Sequence, residues 1–210
     1  MKVFTYYEPV PGISLEDSTR LILLWKRNWE HFGFQPFVLN EHHARQHKRF
    51  NEVNERVSKF PTLNPKDYER SCFLRYLAMA AQDGGIMTDF DCFCYDKTKL
   101  SSHFPNKLVS FQGYIPSLVY GSRKAYEGVI SAFVDYQVTK KDVSESGVPH
   151  VSDMYIFLRD KTMPYIPHDI TKNFGDEGWR EAPFVHFANA TMNGFQPRWK
   201  NIKQLRNWEK

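Results

Sequence analysis

The sequence predicts an α/β fold with a mixed, mostly parallel central sheet flanked by helices, and three observations predict it. A strand, a helix and a second strand follow one another within the first 40 residues. A second helix then stops at Gly84-Gly85 and gives way to a short apolar strand. Strands joined through a helix lie parallel, with a right-handed crossover. The third observation is size: 210 residues, 41% of them hydrophobic, can bury one sizeable core. No repeat or linker interrupts residues 1–210, so a single domain is expected.

Lys2 to Tyr7 is rich in β-formers and reads as the first strand. Ser14 and Asp17 form an S-x-x-D box that starts a helix, with Leu15, Ile22, Trp25, Trp29 and Phe32 on its apolar side and Gly33 at its end. Gln35 to Leu39 is the second strand. The polar, basic stretch 41–59 holds His43 and His47 four residues apart, a metal-ligand spacing on a helix. No carboxylate accompanies them, and a solvated helix face explains the composition.

Asn64 is placed to cap the next helix, with Pro65 at its first position and Asp67 in its first turn. Tyr68, Cys72, Phe73, Tyr76, Leu77 and Ala80 make one apolar stripe. Gly84 and Gly85 suit an exit through a left-handed residue. Ile86 to Thr88 then extends into Asp89-Phe90-Asp91. In an extended chain residues i and i+2 share a face, which predicts Asp89 and Asp91 together in one solvent pocket and Phe90 in the core. Two adjacent carboxylates repel unless a cation joins them. Mg²⁺ and Mn²⁺ are held by one or two carboxylates together with substrate phosphate oxygens. A D-x-D at the carboxyl end of a strand lies where open α/β sheets bind ligands.

Lys107 to Gln112 and Ile115 to Tyr120 read as two further strands, bent at Gly113 and Pro116, and Ala125 to Val138 as a helix. Residues 139–150 are polar and charged, long enough for a mobile lid. Asp153 opens the apolar run Met154 to Leu158, where it or Ser152 can cap a helix. Residues 164–179 read as loop. Ala182 to Phe187 is a short strand ending near His186, and residues 201–210 form a basic tail with a closing helix.

Composition narrows the function. A formal net charge of +4 suits a phosphate pocket but is too small to argue for nucleic acid. The three cysteines, Cys72, Cys92 and Cys94, make a poor disulfide framework and point to a reducing compartment. No apolar run approaches 18 residues, so no membrane span is expected. The expected location is the cytoplasm, the host's if the protein is viral, and the expected state a monomer.

The run RSCFLRYLAMAAQDGGIMTDFD resembles the D-x-D region of GT-A-fold glycosyltransferases, which carry a Rossmann-like nucleotide-binding sheet. It is most similar to the glycosyltransferase family 32 type, S-D-x-x-R-Y-x-x-L-x-x-x-G-G-x-Y-x-D-x-D. Ser71, Arg75, Tyr76, Gly84, Gly85, Asp89 and Asp91 match. Cys72 stands where the family has an Asp that helps hold the donor sugar, and Met87 replaces a Tyr. In size the chain also resembles a glycosyltransferase domain carried by a large chlorella virus.

The resemblance implies a transferase that uses Mn²⁺ (or Mg²⁺) and a nucleoside-diphosphate sugar, most simply a UDP-sugar, with a glycan or glycoprotein acceptor. It implies Thr5, Tyr6 and Tyr7 at the nucleotide base, Ser117 in the donor-sugar wall, and Asp153 as a catalytic or sugar-orienting acid. Arg75 would orient the carboxylates or reach the donor, with Arg70 a second choice. The segment from His186 resembles a carboxyl-terminal H-F-x-G-x-x-K-P-W motif. There His186 would complete a metal shell with Asp89 and Asp91, and Arg198 would hold the diphosphate. Two other classes stay open: a metal-dependent nuclease or phosphoesterase, and a non-catalytic sugar-binding domain of the same fold. Two-metal phosphoryl chemistry gathers three or more acids, which the remaining acids do not supply by clustering.

Overall fold

The structure, a computed structural model, describes residues 1–11, 14–100, 104–188, 199 and 202. The elements run β1 (Lys2–Tyr6), α1 (Leu15–His31), β2 (Gln35–Leu39), α2 (Glu41–Ala44), α3 (Phe50–Ser58), α4 (Lys66–Ala81), β3 (Gly84–Thr88) and β4 (Cys92–Cys94). They continue with β5 (Leu108–Gln112), β6 (Ile115–Ser122), α5 (Arg123–Asp135), α6 (Asp153–Arg159), β7 (Tyr165–Pro167), β8 (Thr171–Asn173) and β9 (Phe184–His186). The main sheet has the order β2-β1-β3-β6-β5-β7. Only β6 runs against the other strands, because its neighbours β3 and β5 each pair with it antiparallel. The carboxyl ends of β1, β3 and β5 therefore share one edge. A second sheet, β4-β9-β8, closes over that edge.

Two cores flank the main sheet. One is built by α3, α4, α5 and α6 around Phe73, Tyr76, Tyr126, Phe133 and Phe157. The other joins α1 to the second sheet through Trp25, Trp29, Phe93, Phe184 and Phe187. The apolar side of α1 differs from expectation. Trp25 and Trp29 are buried with Leu21 and Leu24, while Leu15 is exposed.

The helix α4 is not a surface helix with one stripe. Every residue from Phe73 to Ala80 is buried, because the helix lies between the sheet and α2, α3 and α5. Tyr68, expected on the inner stripe, is 43% exposed. Asn64 does not cap α4. Its side chain donates to Glu69 Oε2 at 2.7 Å, and Pro65 occupies the capping position. The chain leaves the helix through three positive-φ residues, Asp83 at 64°, Gly84 at 87° and Gly85 at 128°, so the glycines suit the exit as expected. They also allow a close approach, since a Cβ on Gly84 would lie 2.5 Å from the Gly121 carbonyl oxygen of β6. The double glycine thus lets β3 start against β6.

Residues 139–150 are knit in place rather than loose. Buried Asp142 accepts from the Thr139 backbone N–H at 2.6 Å, the Tyr136 hydroxyl at 2.6 Å and Arg159 at 3.1 Å. Two short strands, β7 and β8, occupy the stretch read as loop. Among the described residues no helix is long and apolar enough to cross a membrane.

Candidate active site

The two aspartates meet through a turn and not through strand alternation. β3 ends at Thr88, and the Cys92 N–H donates to the Asp89 carbonyl at 2.9 Å, closing a four-residue turn before β4. Both ends of that turn are gripped by α1. Trp25 Nε1 donates to Thr88 Oγ1 at 3.1 Å, and Trp29 Nε1 donates to the Cys92 carbonyl at 3.2 Å. Between these tryptophans on α1, Asn28 bonds the Cys94 backbone twice, donating to its carbonyl at 2.9 Å and accepting from its N–H at 2.7 Å. Phe90 is only half-buried and meets Tyr7 edge-on at 5.7 Å.

The second sheet brings in the third ligand-type group. Cys92 pairs with His186 across β4 and β9, and the Phe187 N–H donates to the Asp91 carbonyl at 2.8 Å. His186 Nε2 then lies 3.4 Å from Asp91 Oδ1 and 3.9 Å from Asp89 Oδ2. Ligand atoms of Asp89, Asp91 and His186 all fall within 4.8 Å of one another.

A chain of hydrogen bonds fixes which ring nitrogen faces the carboxylates. Asp176, an acceptor when ionised, takes a bond from Asn173 Nδ2 at 3.0 Å. The Asn173 oxygen must therefore be the atom that accepts from Gln112 Nε2, at 2.9 Å. That leaves Gln112 Oε1 as the acceptor 3.0 Å from His186 Nδ1, so Nδ1 carries the proton. Nε2 then faces the two carboxylates, and the set suits an ion that accepts both imidazole and carboxylate.

Arg75 braces the site from α4. It donates to Asp89 Oδ1 at 2.5 Å through Nη1 and to Asp153 Oδ2 at 2.6 Å through Nη2. Asp153 is the first residue of α6, behind the Ser152 cap. Its Oδ1 accepts from the Met154 N–H at 2.7 Å, and its Oδ2 also accepts from the Tyr76 hydroxyl at 3.2 Å. Burial pushes the Asp89 carboxyl up to about 6; Arg75 opposes the shift and Asp91 adds to it. Glu69, Cys72 and Asp153 form a second group of ligand-type atoms beside Arg75.

Other expected residues are placed differently. Arg70 turns away, donating to Glu41 Oε2 at 2.6 Å and Asn54 Oδ1 at 2.5 Å. It therefore does not orient the carboxylates. Ser117 is fully buried, donates to Gln112 Oε1 and accepts the Asp89 N–H at its carbonyl, so it supports the site from beneath instead of walling a donor. Thr5 and Tyr6 end β1 on the same sheet edge, and among the described residues neither hydroxyl has a hydrogen-bond partner. His47 is buried against Glu127 at 2.9 Å while His43 bonds Asn40 at 2.6 Å, so the two do not converge and His47 is not on a solvated face. Arg198 lies outside the described residues, as does the closing helix apart from Ile202.

Sequence reasoning missed Gln112 and Tyr68. Nothing marks a lone Gln at a strand end. Tyr68 stands beside the site: its hydroxyl is pushed up by Cys72, by burial, and by the Asp89 and Asp91 carboxylates.

Among solved structures, the fold is similar to the "crystal structure of a glycosyltransferase involved in the glycosylation of the major capsid of PBCV-1". The TM-score is 0.54 at 13% identity, covering 96% of this chain and 98% of that one. A likeness at that identity is one of fold, and the fold class is glycosyltransferase-like. By sequence the chain belongs to the family described as Domain of unknown function (DUF8765), which matches residues 1–166. No curated protein matches it.

Proposed function

We propose that the chain is a metal-dependent glycosyltransferase of the GT-A, family 32 type. In this reading it moves a sugar from a nucleoside-diphosphate sugar, a UDP-sugar, to a hydroxyl of a glycan or glycoprotein, with residues 1–210 acting as one domain. One observation carries it. His186 Nε2 and two carboxylates converge at the carboxyl end of β3, in a glycosyltransferase-like fold.

Asp89, Asp91 and His186 Nε2 would hold Mn²⁺ or Mg²⁺, which when bound supplies Lewis-acid neutralisation of the diphosphate charge. Arg75 fixes the Asp89 carboxylate. Asp153 already accepts three hydrogen bonds, so it positions Arg75 and is not the base. Thr5, Tyr6 and Tyr7 provide the nucleotide side, with Tyr7 packed on the turn that carries the carboxylates. In the transfer, the acceptor oxygen bonds to the anomeric carbon. The bond from that carbon to the diphosphate oxygen breaks and leaves its electron pair there, and the hydroxyl proton ends on the released diphosphate.

A thermal-shift panel of UDP, GDP and UDP-glucose with and without Mn²⁺ tests this reading. Ligands that bind only the folded state raise the midpoint. The expected result is a uridine-selective shift that needs the metal. No shift with any nucleotide, metal present or not, overturns the reading.

A further inference from the structure

On the far side of Gln112 from the metal group lies a cavity of about 360 Å³, lined by Gln112, Tyr114, Asp169, Thr171, Asn173 and Asp176 among others. It opens at the same edge of the main sheet as Asp89, between the β5–β6 hairpin tip and the start of β8. The bonds from Asp176 through Asn173 and Gln112 to His186 tie its wall to the imidazole. We propose that this cavity is the acceptor subsite and that it binds one pyranose ring. The assignment deepens the transferase reading and rests on it.

Charge excludes an anionic occupant. The lining brings two carboxylates, Asp169 and Asp176, against a single cation, Lys172, whose ammonium is already 2.9 Å from Asp169. A phosphate or a nucleotide would be repelled. What carboxylates and amides bind well is a neutral ligand with many O–H donors. Tyr114, 38% exposed at the hairpin tip, supplies an aromatic side chain suited to the C–H face of a sugar ring. Buried Thr171 adds a hydroxyl with no hydrogen-bond partner among the described residues. The volume lies near the lower end of the roughly 300–1,000 Å³ usual for small-molecule sites, which suits one ring better than an extended chain.

A larger cleft of about 930 Å³ between α5 and residues 158–164 does not include Gln112, the residue that ties the smaller cavity to His186.

The test uses the whole chain with UDP and Mn²⁺ and probes it by saturation-transfer NMR with the methyl α- and β-pyranosides of glucose, galactose and mannose. Tyr114→Ala and Asp169→Asn are the variants, both at exposed positions where folding is not at stake. At least one glycoside should give a signal in the wild type that falls about tenfold or more in both variants. The thermal shift with UDP and Mn²⁺ should stay at the wild-type value in each. A signal unchanged in both variants, or no glycoside signal beside an intact UDP and Mn²⁺ shift, overturns the subsite and leaves the transferase reading standing. A glycoside signal lost in the variants without any nucleotide shift keeps the cavity as a sugar site and removes the transferase reading.

Discussion

Two groups of ligand-type side chains lie on either side of Arg75, and they are not alike. Asp89, Asp91 and His186 bring ligand-type atoms within 4.8 Å of one another, with Gln112 bonded to the opposite imidazole nitrogen and Arg75 to one oxygen of Asp89. In the second group Asp153 and one oxygen of Glu69 are supplied with donors, while Glu69 Oε1 has none among the described residues. Arg75 and Tyr76 reach Asp153, and Asn64 and Thr62 reach Glu69 Oε2 at 2.7 and 3.4 Å. The comparison teaches that proximity of acids does not define a metal site. An imidazole joins the acids of the first group, whereas in the second the Arg75 guanidinium and the Tyr76 hydroxyl both go to Asp153.

The sharpest way to break the comparison is Asp91→Ala. It should abolish the Mn²⁺-dependent thermal shift with UDP, and a near-normal shift would move the metal elsewhere. Arg75→Leu comes next. It strands Asp153 in the interior and should destabilise the fold by about 3–5 kcal/mol, as loss of one partner of a buried ion pair does. Urea denaturation measures it, and a cost below about 1 kcal/mol would deny the guanidinium its central role.

Glu69 sharpens the contrast through pH. Burial pushes its carboxyl from the ordinary 4.5 up to about 7, so the folded chain keeps this proton to higher pH than the unfolded chain. The group's stabilisation is complete below about pH 4.5 and is lost as pH rises toward 7. The total loss is about 3 kcal/mol, at 1.36 kcal/mol per pH unit. Glu69→Gln should flatten the fall in stability between pH 5 and pH 8; an unchanged fall would place the proton on another group.

Gln112→Leu frees the His186 tautomer. Mn²⁺ affinity by calorimetry should drop about 10- to 100-fold with the fold intact. The smallest effect belongs to Cys72→Ser, which should leave Mn²⁺ stoichiometry and affinity unchanged. A lost ion there would make the second group a metal site after all.

Much of this molecule was legible beforehand. β1 and β2 are dense runs of β-formers, and Ser14 accepts the Asp17 N–H at 3.2 Å as its box predicts. His186 was visible from its flanking pattern, and the second sheet carries it to the D-x-D turn. Other features depend on long-range partners that no local pattern encodes. Asn64 has the right chemistry for a cap, but its amide is taken by Glu69. Arg70 and Arg75 lie about 140° apart on a helical projection, and only Arg75 meets a buried carboxylate from α6. β7 and β8 are three residues each and exist because β5 and β9 offer them an edge. The strand reading of Asp89 and Asp91 placed them side by side for the wrong reason. The chain reverses there because α1 clamps both ends of the turn.

That second sheet also sets when Asp89, Asp91 and His186 come together during synthesis. β4 emerges early, but its partner β9 comes from the far end of the described chain, and until β9 docks there is no imidazole beside the two carboxylates. Closing so long a loop is entropically uphill. An ion held by both ends would oppose its reopening by mass action. Nascent or truncated chains lacking β9 should show no trivalent pocket at all, and cation affinity then reports on whether the last strand has been stitched in.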